Sequence, residues 1–190
     1  MGKILTVLMS LCLISVSAVA KADDYQSTIN NFRQSAAAKP FFNNAYGYAV
    51  FPTIGKGGLG VGAAYGKGKV YKQGKAVGRT SMSQLSLGFQ AGGQAYSQII
   101  FFKDKRAFDE FTSGNFEFGA GASAVAITAA AQAQAGSTGV SSSVGTDADS
   151  TKQNKAIYRK GMAVMTLAKG GLMYEAAIAG QKYDYKPLKK

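Results

Sequence analysis

The chain has 190 residues, 22 Lys+Arg against 10 Asp+Glu, and a formal net charge of +12. It has no His, no Trp and one Cys, which disfavours triad hydrolases, zinc enzymes and phosphorelay proteins. With 46% hydrophobic and 17% charged residues it is no disordered basic tail, and its length fits one core-forming domain.

Met1-Gly2-Lys3 is a short basic start, and Ile4 to Val19 is a continuous apolar and small-residue run. Small-x-small sites end at Ala20 and Ala22. This is the layout of a secretory signal peptide over residues 1–20, cleaved after residue 20 or 22, with the mature domain over 21–190. The apolar run is shorter than the ~20 residues a membrane span needs. Cleavage removes the only cysteine, Cys12, so disulfides and thiol chemistry leave with the leader. The expected location is periplasmic, with peripheral membrane attachment.

In the mature chain, Tyr25, Ile29, Phe32 and Ala36 recur at helical spacing behind Asp23 and Asp24. They predict a helix over 24–39 that Lys39-Pro40 ends, with Phe41-Phe42 as an apolar hinge. Its apolar stripe either docks on the domain's own core or faces a membrane. From Tyr46 to Phe102 the pattern turns to period two, the strand signal. Tyr46, Tyr48 and Val50 alternate, then Val61, Ala63 and Tyr65, then Leu85, Leu87, Phe89 and Ala91. Twelve of the 24 glycines fall between Gly55 and Gly93. That density inside strands predicts sharp bends or close backbone approach in a curved or closed sheet.

Asp104 caps a predicted helix over 104–113, and Gly114 stops it. Phe116 and Phe118 open a predicted strand through Val125 and Ile127. The Gly/Ser/Ala-rich stretch near 136–151 reads as a flexible loop. Strands return over 156–185. Val50–Lys69 and Ala163–Lys182 match at eight of twenty positions, including Lys56-Gly57-Gly58-Leu59 against Lys169-Gly170-Gly171-Leu172. The repeat predicts two strand–turn–strand units in equivalent places, with Gly58 and Gly171 at the turns. Pairing of first and last strands would close the sheet and remove its edges. The expected fold is therefore β-rich α+β, a curved or closed antiparallel structure with an internal pseudo-repeat and two short helices.

Gly55 to Gly60 matches GxGxxG, but no helix follows to hold a pyrophosphate and no acid follows to hold a ribose. No cofactor or metal is expected. The carboxylates Asp104, Asp109, Glu110, Glu117, Asp147, Asp149, Glu175 and Asp184 form no paired acid–base motif. The charge distribution carries more. Tyr25 to Lys103 holds nine cations and no acid, and residues 152–190 hold nine cations against Glu175 and Asp184. Such single-sign regions attract polyanions. Export argues against nucleic acid, and an anionic lipid surface suits an exported protein with an amphipathic lead helix.

The run Tyr46-x-Tyr48-Ala-Val-Phe-Pro-Thr-Ile-Gly-Lys-Gly-Gly-Leu-Gly-Val-Gly62, with Tyr65-Gly-Lys-Gly68 and Gly78-Arg79, resembles the signature of the SYLF domain family. Ser86-Leu-Gly-Phe-Gln-Ala-Gly-Gly-Gln-Ala-Tyr96 and Lys169-Gly-Gly-Leu-Met-Tyr-Glu175 resemble its later blocks. Thr80-Ser81 stands where the family often has Trp-Ser. The resemblance covers about Ile29 to Tyr185 and implies a β-rich, non-enzymatic lipid-binding domain. Eukaryotic relatives are associated with phosphoinositide membranes, and some yeast ones with actin. An exported protein meets no cytosolic actin. The family's lipid contact lies toward its N-terminal helix, which points to Ile29, Phe32, Arg33, Lys39, Phe41 and Phe42. The charge argument adds Lys56, Lys67, Lys69, Lys72, Lys75 and Arg79. Two other readings remain: an outer-membrane β-barrel, and a periplasmic scaffold or stress protein that binds an acidic partner.

Overall fold

The computed structural model describes residues 16–59, 61–87, 92–119, 125–127, 158–169, 178 and 180–189. Among the described residues three helices accompany eight strands: α1 Val16–Gln34, α2 Lys39–Asn44 and α3 Lys105–Phe111, with β1 Gly47–Leu59, β2 Val61–Lys72, β3 Lys75–Leu87, β4 Gly92–Phe102, β5 Asn115–Glu117, β6 Val125–Ile127, β7 Met162–Lys169 and β8 Lys182–Pro187. The strands form one sheet in the order β5-β8-β3-β2-β1-β4-β7-β6. All pairs are antiparallel except β6 with β7. The fold is β-rich α+β. Its sheet is open, because β5 and β6 have no partner on their outer sides among the described residues.

The sheet is nonetheless strongly curled. β8 and β4 lie four places apart in the strand order. Yet Gln98 Nε2 on β4 donates to Tyr183 Oη on β8 at 2.7 Å, and to Gln181 Oε1 at 3.1 Å. The Tyr183 ring also meets Phe51 of β1 at 5.6 Å. The chain path gives the same answer. A flat sheet would separate β5 from β6 by about 34 Å at ~4.8 Å per strand. The stretch from Glu117 to Val125 spans at most about 29 Å when fully extended.

Curling crowds the concave face, and glycine relieves the crowding. Along β2 the side facing inward is Gly62, Ala64, Gly66, Gly68 and Val70, while Val61, Ala63, Tyr65, Lys67 and Lys69 face out. A Cβ on Gly66 would lie 2.6 Å from the Ile54 side chain, and one on Gly68 2.7 Å from the Phe51 ring. Neighbouring large residues therefore cover the β2 backbone directly. The enclosed core holds Phe51, Ile54, Met82, Ile100, Phe102, Phe108, Phe111 and Tyr183. Helix α3 seals it through Ala107, Phe108 and Phe111. Asp104 caps that helix as expected, its Oδ1 accepting from Ala107 N–H at 2.9 Å, and Gly114 ends it at φ +113.

The convex face carries a second core. Ile29, Phe32 and Ala38 pack on Tyr48, Val50, Ile99, Phe101, Ala163 and Met165. Here the structure differs from the expected single helix over 24–39. Helix α1 covers Val16–Gln34, so Asp23 and Asp24 lie inside it, and it stops at Gln34. The chain then turns through Ser35–Ala38, burying Ala38. Pro40 opens α2 instead of ending a helix, because its missing N–H falls in the first turn, where no intrahelical bond is due.

Pro52 sits in a central strand, where a missing donor breaks the ladder. The β1 register slips beside it toward both neighbours, between Val50 and Ile54 against β2 and between Phe51 and Ile54 against β4. Ser97 Oγ fills the gap by donating to the Pro52 carbonyl at 2.7 Å.

The repeat has a partial structural counterpart. Its first halves lie in β1 and β7, which flank β4 on either side and both run antiparallel to it. Their registers differ, with Val50 opposite Ile99 and Ala163 opposite Phe101. Gly58 lies within β1, opposite Gly62, and the reversal falls between Leu59 and Val61. Gly171, Glu175 and the 136–151 stretch lie outside the described residues. The first and last strands do not pair: β1 is central, and β8 lies between β5 and β3. The strand expected from Phe116 to Ile127 divides into β5 and β6 at opposite edges of the sheet.

The curl predicts a sharp contrast between two glycines. Gly68→Val should lower stability by about 1–3 kcal/mol through overpacking. Gly55→Ala, where a Cβ meets nothing within 4 Å, should change it by less than about 0.5 kcal/mol. Urea unfolding of both variants checks this, and equal losses would contradict the crowded concave face.

Candidate functional site

Outward side chains of β2, β3 and β8 meet the start of the packed part of α1 at an open pocket of about 490 Å³. Tyr25, Tyr65, Lys67, Lys69, Arg79 and Lys186 line it, with Ser81 and Asp184. Register explains the grouping. Lys69 stands opposite Arg79, and Arg79 opposite Lys186; Lys67 stands opposite Ser81, and Ser81 opposite Asp184. Residues directly opposite leave a sheet on the same side, so two rows of three share one face.

Tyr25 forms the wall toward the helix. Lys69 Nζ lies 4.4 Å from its ring centroid, a cation–π contact. Burial, then the Asp24 carboxylate, push the Tyr25 hydroxyl up from its ordinary value, while Arg79 pulls it down. The net shift is upward, so at neutral pH Tyr25 is an uncharged donor. Asp24 is engaged further along the sheet, 3.8 Å from Lys169 Nζ, which also donates to Thr53 Oγ1 at 2.9 Å. Ser81 Oγ donates to Asp184 at 3.3 Å.

Beyond Tyr65 the same outward face turns apolar. Val61 is 58% exposed, Tyr65 54% and Leu85 80%. Along β2 the outward residues thus run from apolar Val61 through Tyr65 to cationic Lys67 and Lys69. No group of carboxylates, His or Cys that could hold a metal occurs among the described residues.

The residues singled out by sequence separate into three sets. Lys67, Lys69 and Arg79 meet in the pocket. Ile29 and Phe32, at 2% and 0% exposure, belong to the convex core, which corrects their expected place on a lipid surface. The helical stripe docks on the sheet because Tyr48, Val50 and Phe101 offer it a matching apolar surface. Phe41 and Phe42 are half-buried: Phe41 packs on Phe101 and Tyr158 at 5.4 and 5.0 Å, Phe42 on Phe101 and Tyr48 at 4.9 and 5.4 Å. The remaining cations are scattered. Arg33 lies over the Phe42 ring at 5.1 Å, Lys39 is exposed at the start of α2, and Lys75 is exposed beside the β2–β3 turn. Lys72 reaches the Tyr46 and Phe108 rings beside α3, and Lys56 stands opposite Ala64 on the concave side. Sequence reasoning missed Tyr25, Tyr65, Ser81, Asp184 and Lys186 as pocket residues. The alternation of Tyr183 and Tyr185 with Asp184 and Lys186 was the available signal for β8.

The model of a family described as Las17-binding protein actin regulator matches residues 83–184, more than half of the chain. The chain belongs to the SYLF family. A curated relative, beta cell expansion factor A of Aeromonas veronii, is 31% identical over 158 residues. The match covers 82% of this SYLF chain and 51% of the relative, so the chain spans about half of that protein's length.

The placement of the helix gives a direct test. Phe32→Ala should destabilise this SYLF protein by about 3–5 kcal/mol, the range for a fully buried ring. Denaturant unfolding measures it. A loss under ~1 kcal/mol would return Phe32 to the surface.

Proposed function

We propose that this SYLF protein is a non-enzymatic protein of the bacterial envelope that associates peripherally with anionic lipid surfaces. The observation that carries the reading is the outward face of β2 and β3. There exposed Val61, Tyr65 and Leu85 adjoin Lys67, Lys69 and Arg79. Contiguous exposed apolar residues beside uncompensated cations mark an interaction surface, and a bilayer interface matches both chemistries. Each cation near an anionic surface contributes about 1 kcal/mol, and apolar area adds about 25 cal/mol per Å² inserted. Family membership supports a lipid-binding role, and the leader over residues 1–20 supports an envelope location. The actin regulation named in the family's description is not part of this proposal, because export separates the protein from a cytosolic filament. The barrel alternative fits poorly with a sheet that is open and packs helices on both faces. No helix of the described residues is long and apolar enough to cross a membrane.

Liposome flotation tests the reading on protein purified from the periplasm, whose N-terminus mass spectrometry should place at Lys21 or Asp23. Anionic vesicles should bind the protein and neutral vesicles much less. Raising salt from 0.1 to 1 M cuts the Debye length from about 10 to 3 Å and should weaken recruitment. The V61S/L85S variant, altered only at exposed positions, should bind less at every salt concentration. Equal flotation with neutral and anionic vesicles at low salt would refute the electrostatic part. No flotation with either, alongside capture of an acidic protein, would favour the scaffold reading.

A further inference from the structure

Lys69, Arg79 and Lys186 form an unbroken row of cations across three adjacent strands. Like charges directly opposite on neighbouring strands destabilise a sheet. At about 4.8 Å per strand, the three backbone positions fall within roughly 10 Å of one another. Lys67 stands in the next row on the same face. None of the four takes part in a salt bridge among the described residues; the ion pairs there use Lys105, Arg106, Lys169 and Lys182. Asp184 is the single carboxylate among the described residues that line the pocket, and it is the acceptor for Ser81. Four cations thus converge against one acid. Scattered lysines would give solubility without that repulsion.

We propose that this row is a binding site for a phosphate monoester, a compact dianion carried either by a lipid headgroup or by a soluble ester. The proposal deepens the membrane reading and rests on it for the lipid source alone. Arg79, in the middle, offers a planar fork that takes two phosphate oxygens together. Lys69 on one side is steadied by the Tyr25 ring, and Lys186 closes the other side. Two negative charges offset most of the excess of three that one carboxylate leaves. A volume of about 490 Å³ suits a headgroup and is bounded by Tyr25 and Tyr65, unlike an open groove for a polymer. The apolar outward strip of Tyr65, Leu85 and Val61 leads away from the row, where the acyl part of a lipid would lie.

Thermal unfolding and titration of the purified protein test the site. Inorganic phosphate and glycerol 3-phosphate should raise the melting temperature above that in sodium chloride of equal ionic strength. Arg79→Gln should weaken glycerol 3-phosphate binding about tenfold, the usual scale for losing a charged hydrogen-bond partner. Without ligand, that variant should melt at or above the wild-type temperature, because repulsion is removed. Lys186→Gln, at an exposed position, provides a second test should Arg79→Gln fold poorly. Lys75→Gln removes one charge away from the row and should bind as wild type does. Vesicles of neutral lipid containing phosphatidic acid, against phosphatidylglycerol at matched surface charge, identify the source. Preference for phosphatidic acid that Arg79→Gln abolishes supports the site with a lipid ligand. Soluble-ester binding without that preference supports it with a soluble ligand. No stabilisation beyond chloride by either phosphate, or equal losses in Lys75→Gln and Arg79→Gln, would overturn the site. In those cases binding to anionic vesicles would still uphold the membrane reading. Conversely, phosphate binding without any vesicle binding would refute the membrane reading and keep the site.

Discussion

The concave face of β2 and β3 has no room for a side chain at Gly66, Gly68 and Gly78, and the rest of the architecture follows from that limit. Ile54 and Phe51 lie directly on the backbone at Gly66 and Gly68, and the Tyr185 ring lies where a Cβ on Gly78 would stand. Because the wall is thin there, the sheet can curl until β8 faces β4. The Gln98, Gln181 and Tyr183 side chains then hydrogen-bond across the interior. That interior is costly to open. Burial raises the Tyr183 hydroxyl well above its ordinary value and Tyr96 to about 12. Both remain neutral, and ionisation would oppose folding only as pH rises above the unfolded-state value near 10.

The same limit determines what the outer surface carries. With small residues taking the inward positions from Gly62 to Gly68 of β2, Val61, Tyr65, Lys67 and Lys69 point outward. At one end Tyr71 joins the surface on which α1 and α2 dock. At the other, Tyr65 and Val61 stay exposed. Between them Lys67 and Lys69 meet Arg79 and Lys186. The cation pocket is therefore the boundary between the part of the convex face that the helix covers and the part left to solvent. Tyr25 marks that boundary, packing against Lys69 on its free side while Ile29 and Phe32, one and two turns on, reach the core.

Much of this was legible in the sequence. Period-two alternation located β1 and β2, glycine density anticipated the curl, and Asp104 and Gly114 bounded α3. The lead helix shows why other features were not. An apolar stripe such as Ile29 and Phe32 looks the same whether it meets a membrane or a sheet, and only the partner surface of Tyr48, Val50 and Phe101 decides. Lys186 lies over 100 residues from Arg79 in the chain, so no local pattern places it in the same row; the pairing of β3 with β8 does. Phe116 and Val125 illustrate the reverse limit, since a single apolar run supplied two strands that the curl sends to opposite edges.

The central claim is that the outward face of β2 and β3 is the surface turned to lipid. Paramagnetic relaxation measured by NMR on isotope-labelled protein, with anionic bicelles carrying a headgroup spin label, tests it residue by residue. The account predicts broadening concentrated at Val61, Tyr65, Lys67, Lys69, Arg79 and Leu85, with α3 and the Tyr48–Phe101 surface beneath α1 unaffected. Broadening centred on α3, or spread evenly over the exposed lysines, would contradict it.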